Sequence, residues 1–369
     1  MTRKLLFLIL NLDGGGSEKI FTRLISNLCH THEIVVVTFY EEGIFLPEIK
    51  ALPVKYYTLS TDNNNTLRFA LRLRKLLKLE KPEKVVSFLY YPNIISFLAL
   101  IGLKIKHIPN ERSNHRMYLT RSIKHIIWKD LLRHAYQKSV RIVALTERIK
   151  DFIAEDFGIT DKKIAVIHNG LNFDVLRKLA DEDVTVTGFE SDKKNIVAMG
   201  RFTKAKNYPM LIDAFSILYQ KHTETRLHII GSGELKEKII ELVKLKNLEK
   251  VINLPGFQRN PYPYIKRADC YAMSSKWEGF PNALAEAMYI NGHVVSTDCP
   301  TGPADIITHE HDGLLSPSDD AEKLSENLER ILYDDNLREK LYKNSRISIK
   351  RFDEKNMIDK YRKIIEEDE

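Results

Sequence analysis

Two glutamates, Glu278 and Glu286, are the residues whose type and spacing point most directly to chemistry, since seven residues separate them around a possible helix start. Pro281 suits the first turn of a helix because its missing N–H has no partner to lose there. The backbone N–H groups of residues 282–284 would then point outward, where the helix dipole favours an anion. The segment predicts a phosphate site between two carboxylates, although spacing alone equally fits a solvated glutamate and a helix-terminal charge.

The elements that must position these residues alternate between strand and helix patterns in both halves of the chain. Alternation of this kind predicts an α/β fold with parallel sheets that carry helices on both faces. In the first half, the strand patterns are Lys4–Leu12, Glu33–Phe39, Val85–Tyr90, Lys106–Ile108 and Val140–Leu145. In the second half they are Asn195–Met199, Arg226–Ile230, Val251–Leu254, Asp269–Met273 and His293–Thr297.

The length of 369 residues, the 43% hydrophobic content and the 29% charged content are those of a globular protein with two domains. We expect one Rossmann-like domain at 1–180 and a second at 181–352, with a last helix at about 353–369 that packs back on the first. Ligands of such sheets bind at the carboxyl ends of the strands, so a cleft between the two domains is expected. Cys29, Cys270 and Cys299 match no zinc or redox spacing, which favours a reducing cytosol.

Positive charge is concentrated in the first half, where residues 1–170 hold 27 Lys and Arg against 16 Asp and Glu. Leu67–Leu79 alternates leucines with cations, and Arg112–Lys138 interleaves seven cations with Tyr118, Trp128 and Tyr136. Such stretches are typical of segments at an anionic membrane surface, although a solvated helix face explains them nearly as well. No nucleic-acid recognition fold is indicated.

Two apolar stretches imitate membrane segments. Leu5–Leu12 follows two cations but runs into glycines without a cleavage site, which favours a buried first strand over a signal peptide. Val85–Leu103 has no charge for nineteen residues, but Pro92-Asn93 interrupts it, which favours a strand followed by a helix from Ile94. We therefore expect no transmembrane helix.

Six motifs in chain order resemble those of retaining GT-B glycosyltransferases of family 4, whose signature is two glutamates around seven residues. The resemblance covers nearly the whole chain, and its strength lies in the register of the motifs, since each one is weak by itself. The motifs are Gly15-Gly16-Ser17-Glu18, His168-Asn169-Gly170, Gly200-Arg201-Phe202-Thr203-Lys204-Ala205-Lys206-Asn207, Gly231-Ser232-Gly233-Glu234, Leu254-Pro255-Gly256-Phe257 and Glu278–Glu286.

The resemblance implies catalytic roles for Glu278, Arg201 and Lys206. Glu278 would hold hydroxyls of the donor sugar, and Glu286 those of the ribose. Arg201 and Lys206 would neutralise the charge that develops on the β-phosphate of a departing nucleoside diphosphate, so that no metal or other cofactor is required. By the same resemblance the donor would contact Gly15, Gly16, Gly231, Gly233, Gly256, Phe257, Gly279, Phe280, Pro281, Asn282, Ala283, Leu284 and Glu286.

The chain departs from the family pattern in its first half. Many relatives carry a histidine near the donor sugar where this chain has Arg112, and His115 follows three residues later. We expect Arg112 to contact the donor or an anionic acceptor, and Glu111 to be a candidate for orienting the acceptor hydroxyl. His115 is a further candidate on the acceptor side.

The leading hypothesis is therefore retaining transfer of a sugar from a UDP-linked donor to a lipid-linked or other glycan acceptor. The segment Glu278–Asn282 resembles that of subgroups that use UDP-sugars. The segment Gly256–Tyr262 resembles that of bacterial transferases that extend undecaprenyl-diphosphate glycans with N-acetylhexosamine. This implies a peripheral location at the inner face of the cytoplasmic membrane.

Three alternatives remain at this point. A dinucleotide-dependent oxidoreductase would use Gly14–Gly16 and Glu41-Glu42, although Lys19 stands where its fingerprint needs glycine. A nucleotide-sugar epimerase of the same fold would form product without an acceptor. A membrane-surface protein with a relic site would transfer no sugar.

Overall fold

The computed structural model describes residues 3–60, 65–117 and 122–367, which form two compact units. The first comprises Met1–Gly170 with Lys355–Glu369, and the second comprises Leu171–Glu354. The boundary lies ten residues before the predicted one at residue 180. The reason is the helix Phe173–Ala180, which packs against helices of the second unit and stacks Phe173 on Tyr289 with ring centroids 4.3 Å apart.

The first unit is built on a parallel sheet of seven strands in the order β3-β2-β1-β4-β5-β6-β7. Its strands are β1 Lys4–Ile9, β2 Glu33–Thr38, β3 Lys55–Thr58, β4 Lys84–Phe88, β5 Lys106–Glu111, β6 Ile142–Ala144 and β7 Ile164–Val166. Its helices are α1 Gly16–Leu28, α2 Leu46–Ala51, α3 Thr66–Glu80, α4 Tyr90–Leu100, α5 Ile123–Lys138 and α6 Glu147–Phe157, and the last helix of the chain, α15 Glu354–Glu366, packs onto it.

The second unit repeats this architecture with a parallel sheet of six strands in the order β10-β9-β8-β11-β12-β13. Its strands are β8 Lys194–Met199, β9 Thr225–Ile230, β10 Ile252–Gly256, β11 Cys270–Met273, β12 Val294–Asp298 and β13 Leu314–Pro317. Its helices are α7 Phe173–Ala180, α8 Tyr208–Lys221, α9 Lys236–Leu245, α10 Tyr262–Arg267, α11 Asn282–Ile290, α12 Pro303–Ile306, α13 Ala321–Tyr333 and α14 Asp335–Ser348. The α/β prediction is confirmed, with the Rossmann strand order in each unit.

The central strands are buried because helices cover both faces of each sheet, and this explains their continuous apolar runs. In β1, all residues from Leu5 to Ile9 are inaccessible to solvent. One face of this sheet packs against α1 and α15, through residues such as Phe21 and Tyr361. The other face packs against α3 and α4, through residues such as Leu73 and Ile95.

The uncharged stretch 85–103 forms a strand and a helix, but the break lies earlier than predicted. It falls at Leu89, whose φ is +79°, and α4 already begins at Tyr90. Pro92 therefore sits in the first turn of α4 and does not interrupt it, because a first-turn residue has no helical partner for its missing N–H. Among the described residues, none of the helices has the length and apolarity needed to cross a membrane.

Candidate functional site

The predicted catalytic residues of the second unit lie where the strand order of its sheet reverses. The first strand of the unit, β8, pairs with β9 on one side and β11 on the other, so the chains leaving β8 and β11 diverge at this point. Ligands of open α/β sheets bind at such a switch point, beyond the carboxyl ends of the strands. Arg201 follows β8 there, and Ser274-Ser275 follows β11.

Lys206 and Glu278 form an ion pair at this position. The Lys206 ammonium lies 2.6 Å from Oε1 of Glu278, and the Ser275 hydroxyl donates to the same oxygen at 2.7 Å. The side chains of Lys206 and Glu278 are 20% and 14% exposed, so both are partly buried but remain accessible to a ligand. Two donors on one carboxylate oxygen restrict its orientation. The structure thus brings together two of the three residues predicted to be catalytic.

Hydrogen bonds join the two loops that carry this pair. The Ser274 hydroxyl donates to the Lys206 carbonyl at 2.8 Å, and the Lys276 N–H donates to the Ala205 carbonyl at 2.8 Å. The Thr301 hydroxyl, beyond β12, donates to the Glu278 carbonyl. Two hydroxyls and one backbone N–H from the loops after β11 and β12 therefore satisfy these three carbonyls, which holds the two loops together around the pair. The sequence analysis missed Thr301, because nothing in the chain near Glu278 indicates which distant residue contacts it.

Arg201, the third predicted catalytic residue, is exposed to solvent. It lies in the same loop after β8 as Lys206. Across the described ranges, its guanidinium makes neither a hydrogen bond nor an ion pair with another side chain. An arginine keeps five N–H donors and a permanent charge, so it is suited to bind phosphate in two-point geometry. Within the part of the chain that the structure describes, the loop after β8 therefore carries both an unpaired guanidinium, that of Arg201, and the lysine that pairs with Glu278.

Two glycines let the loop after β9 pass close to the loop after β8. A Cβ on Gly231 would lie 2.0 Å from the Gly200 carbonyl oxygen, and one on Gly233 would lie 2.7 Å from backbone atoms of Phe202. Both also have a positive φ, which side chains disfavour. Close backbone packing thus explains why glycine stands at these two positions. Ser232, which lies between them, is exposed. Gly256 ends β10 with φ +78°, and Phe257 beyond it is 74% exposed.

The helix that follows Glu278, α11, differs in detail from the predicted anion site. The Leu284 N–H donates to the Pro281 carbonyl at 2.9 Å, and Leu284 is fully buried, so its amide is not presented outward. Phe280 is also buried, with its ring 5.4 Å from that of Phe352. The Leu284 N–H and the Phe280 ring are thus engaged within the fold, and the contacts of these two residues with the donor stay predictions. Glu286 lies in the second turn and is 6% exposed.

The other residues of this segment stay near the surface of the loop. Gly279, Asn282 and Ala283 are half-buried, whereas Pro281 is buried. Gly302 approaches the segment so closely that a Cβ on it would meet the Pro281 ring at 2.5 Å and the Gly279 carbonyl at 2.9 Å. The backbone of this turn is therefore fixed by packing from the loop after β12.

In the first unit, Gly15 and Gly16 lie between β1 and α1, at the carboxyl end of the central strand. Gly15 is the N-cap of α1 and Gly16 its first residue, and both are exposed. A glycine-rich turn at a helix N-terminus is compatible with close approach of a phosphate. Their structural context is the one expected from the sequence, a strand followed by a helix.

Glu111 ends β5 in the interior of the first unit. It is inaccessible to solvent, and the Tyr136 hydroxyl donates to its Oε2 at 2.6 Å. Burial raises the pKa of Glu111 to about 7, so the carboxyl can carry a proton near neutral pH. Because the carboxyl is enclosed in its own unit and bonded to Tyr136, the structure does not present it to an acceptor, and its role in orienting the acceptor hydroxyl stays a prediction.

The other two acceptor-side predictions are not supported by the structure of this unit. Arg112 is 3% exposed and donates to the side chain of Asn169 and, at 3.2 Å, to the Tyr361 hydroxyl. His115 is 1% exposed and bonds Asp156 at 2.8 Å. Both side chains point into their own unit, where internal partners hold them, so neither is presented to a donor or acceptor. Part of the predicted basic stretch, residues 118–121, lies outside the described residues.

Comparison with known proteins identifies a family match in each half of the chain. The family described as glycosyl transferases group 1 matches residues 180–348, and glycosyltransferase family 4 matches residues 14–175. The chain is 29% identical, over 93% of both chains, to a Campylobacter jejuni N-acetylgalactosamine-N,N'-diacetylbacillosaminyl-diphospho-undecaprenol 4-alpha-N-acetylgalactosaminyltransferase. It is also 29% identical, over 99% of this chain and 98% of the relative, to a second C. jejuni transferase, which adds N-acetyl-D-galactosamine to a GalNAc-containing PP-undecaprenol glycan.

The fold is shared with solved glycosyltransferase structures. Anabaena HepE in complex with UDP superposes with a TM-score of 0.84 at 15% identity, over 98% of this chain and 99% of that one. The lipopolysaccharide outer core galactosyltransferase WaaB gives a TM-score of 0.77 at 20% identity, over 98% and 99%. Each unit has the Rossmann strand order, and the predicted motifs are in place. The two family matches together span most of the chain. This chain is therefore a GT-B glycosyltransferase of family 4.

Proposed function

We propose that this enzyme transfers a hexose or N-acetylhexosamine, with retention of configuration, from a UDP-sugar to a polyprenyl-diphosphate-linked glycan, and that it needs no metal. The observation that carries the proposal is the Lys206–Glu278 pair beside the unpaired guanidinium of Arg201 at the strand switch point. The relatives named as N-acetylgalactosaminyltransferases act on undecaprenol-linked glycans by their names, which supports the acceptor class.

In this proposal the cations stabilise the leaving group. When the bond between the sugar and the β-phosphate breaks, its electron pair goes to the phosphate oxygen, and negative charge grows there. A lysine ammonium has three donors, and Lys206 directs one of them to Glu278. The remaining donors, together with the guanidinium of Arg201, are available for the diphosphate oxygens in a partly dry site, where they stabilise the transition state.

Glu278 positions the sugar. Its Oε1 is occupied by Lys206 and Ser275, and carboxylate oxygens accept more than one hydrogen bond each, so hydroxyls of the donor sugar can bind Oε2. The acceptor hydroxyl attacks on the face that the diphosphate leaves, and its proton passes to the leaving phosphate.

We further propose that the enzyme works at the inner face of the cytoplasmic membrane, held by the first unit. Helix α3 exposes Leu67, Leu71 and Leu79 to solvent at 66%, 57% and 67%, and Arg68, Lys75 and Lys78 are exposed among them. Leucines and lysines that share one exposed helix face are typical of helices at an anionic lipid surface. Arg72 and Arg74 are not part of this face, since they donate to carbonyls of Leu59 and Ala99.

Isothermal titration in the presence of EDTA tests the donor class. We expect UDP to bind with the metal removed and GDP to bind much more weakly. Tight GDP binding without UDP binding would contradict the donor assignment, and binding that requires added Mg²⁺ or Mn²⁺ would contradict metal independence. The anomeric configuration of the product, read by proton NMR coupling, tests retention: an inverted product would overturn it.

A further inference from the structure

A cavity of about 480 Å³ opens on the first unit, and its lining includes none of the residues assigned to the reaction. It lies where α4 ends, β5 begins and α5 ends. Its lining consists of Phe97, Leu100, Ile101, Gly102, Leu103, Ile105, His107 and Lys138. A volume of this size is typical of sites for small organic molecules.

The cavity lies at the opposite end of the strands from the predicted site residues of the first unit, Gly15, Gly16 and Glu111. His107 is the second residue of β5, whereas Glu111 is its last, and Lys138 is the last residue of α5. His107 and Glu111 are four positions apart, which corresponds to about 13 Å along a strand. The cavity therefore belongs to the amino ends of the strands and is a site separate from Gly15, Gly16 and Glu111.

The lining is apolar with a single permanent charge. Five of its residues have hydrocarbon side chains, and no carboxylate is among them. His107 is 5% exposed and bonds the Ser87 hydroxyl at 2.8 Å. Burial lowers the pKa of His107 to about 3, so the imidazole is neutral at physiological pH. Lys138, which is exposed, remains as the one cation of the lining.

The electrostatics of the rim favour an anion there. The last carbonyls of a helix carry partial negative charge, and α4 ends at this cavity. The Arg74 guanidinium covers that charge, since it donates to the carbonyls of Ala99 at 2.8 Å and Ile101 at 2.6 Å. Ile101 itself is 57% exposed at the rim. With the helix end neutralised, the opening combines the exposed aliphatic side chain of Ile101 with the cation of Lys138, which complements a hydrocarbon chain attached to an anionic head.

We infer that this cavity binds one acyl chain of an anionic membrane lipid, whose phosphate pairs with Lys138. Helix α3, which packs against α4, presents the exposed leucines and lysines of the proposed membrane face beside it. A lipid chain withdrawn into the cavity would add buried apolar area to an otherwise superficial contact. The inference rests on the proposed membrane association and not on the donor chemistry.

The cavity can be probed without a membrane by quenching of a tryptophan placed in its wall. In Phe97→Trp, dibromostearate below its critical micelle concentration should quench the new fluorophore saturably, beyond the quenching of Trp128 and Trp277 in the parent protein. Ile101→Asp and Lys138→Glu, each added to Phe97→Trp, should weaken this binding about tenfold or more, which corresponds to about 1.4 kcal/mol.

Matched controls exist on α9 of the second unit. Leu245→Asp makes the same change at an 80% exposed aliphatic residue that ends a helix, and Lys244→Glu reverses a cation in the last turn. Neither should alter quenching. Absence of saturable quenching in Phe97→Trp, or equal effects of the cavity and control variants, would overturn the inference.

Vesicle flotation gives the second measurement. The parent protein should float with phosphatidylcholine vesicles that contain about 30 mol% phosphatidylglycerol, and Ile101→Asp should float markedly less than Leu245→Asp. If UDP binds while dibromostearate does not, the lipid site fails and the proposed reaction stands. If dibromostearate binds while no nucleotide does, the proposed reaction fails and the lipid site stands.

Discussion

The residues of the donor site show how far a local motif determines chemistry. Glu278 and Lys206 lie 72 positions apart in the chain and meet at 2.6 Å, because β8 and β11 are neighbours in the sheet. Their positions were predictable, since each follows a strand in a recognisable segment, whereas their catalytic roles stay a prediction. Ser275 and Thr301 complete the arrangement by holding the side chain and the backbone of Glu278.

The carboxylate of Glu278 should be necessary for transfer. In Glu278→Gln the amide keeps the volume but weakens the contacts to Lys206 and to the sugar hydroxyls, so kcat/KM should fall by about 100-fold or more. Glu322→Gln, at an exposed position of α13, is the control for charge removal. Equal activity of the two variants in a sugar-transfer assay would remove Glu278 from the mechanism.

Lys206 should matter more for the chemical step than for folding. Lys206→Met keeps the aliphatic stem, leaves Glu278 with Ser275 as a donor, and removes the cation from the leaving phosphate. We expect kcat to fall by about 100-fold, with UDP affinity reduced much less. Titration calorimetry and steady-state kinetics on one preparation separate these effects, and a variant that loses only UDP affinity would argue against a transition-state role.

The acceptor-side residues mark the limit of inference at this scale. Glu111, Arg112 and His115 follow one another closely in sequence, yet all three side chains turn inward toward Tyr136, Tyr361 and Asp156. A family pattern identifies the segment at the end of β5 but not the direction of each side chain. That direction depends on partners from α5, α6 and α15, which are distant in sequence.

At the scale of elements, backbone proximity rather than side-chain chemistry explains several glycines. Gly231→Ala would place a Cβ 2.0 Å from the Gly200 carbonyl at a φ of +149°. We expect a loss of about 3 kcal/mol or more in the free energy of unfolding of the second unit. Gly158→Ala is the comparison, because it ends α6 at φ +67° with no atom within 4 Å and should cost only about 1–2 kcal/mol. Urea titrations of both variants measure the difference, and similar midpoints would contradict it.

The end of α3 is tied to the sheet by Glu80, and this tie should be sensitive to acid. Its carboxylate accepts hydrogen bonds from Tyr57 at 2.6 Å, Lys55 at 3.0 Å and Lys4 at 3.2 Å. The hydrogen bond from Tyr57, followed by those from the lysines, lowers the pKa of Glu80 from 4.5 to about 2. Because the folded pKa is depressed, the stabilisation is fully present above pH 4.5 and is lost as the pH falls toward 2.

The corresponding test compares the parent protein with Glu80→Gln. At about pH 7 the parent should be more stable by about 2 kcal/mol, and the advantage should shrink as the pH falls below 4.5. Urea titrations of both proteins at a series of pH values measure it. A difference that stays constant or grows on acidification would show that Glu80 is not held as an anion.

At the scale of the whole molecule, the chain returns to its first unit through α15. This helix buries Met357, Ile358, Tyr361 and Ile365 against the first sheet. Tyr361 also enters the polar network below the end of β5, where its hydroxyl donates to Asn110 at 2.8 Å and accepts from Arg112 at 3.2 Å. The last helix is thus part of the core that positions Glu111.

Tyr361→Phe tests this connection. It leaves a buried amide oxygen and a buried guanidinium with one partner fewer, which should cost about 1–3 kcal/mol and speed amide hydrogen exchange in α15. Tyr342→Phe, at a 43% exposed position of α14, should change neither quantity. Unchanged exchange in α15 for Tyr361→Phe would mean that packing alone holds the helix.

The architecture was largely predictable because alternation of buried strands and amphipathic helices is written into the local apolar pattern. The pattern does not specify on which unit a short helix packs. The predicted boundary at residue 180 therefore lies after α7, whereas the observed boundary lies before it. The sequence predicts a break between strand and helix at Pro92, because a proline in the first turn of a helix and a proline between two elements look the same in sequence. Such choices depend on contacts between distant residues.

The most direct test of the account is transfer of radiolabelled sugar from UDP-N-acetylhexosamine and UDP-hexose donors to the lipid extract of washed bacterial membranes, in EDTA. The account predicts a labelled polyprenyl-diphosphate glycan with the parent protein and at least about 100-fold less with Glu278→Gln. Transfer that is equal in the two proteins, or that occurs only from GDP-sugars, would contradict it.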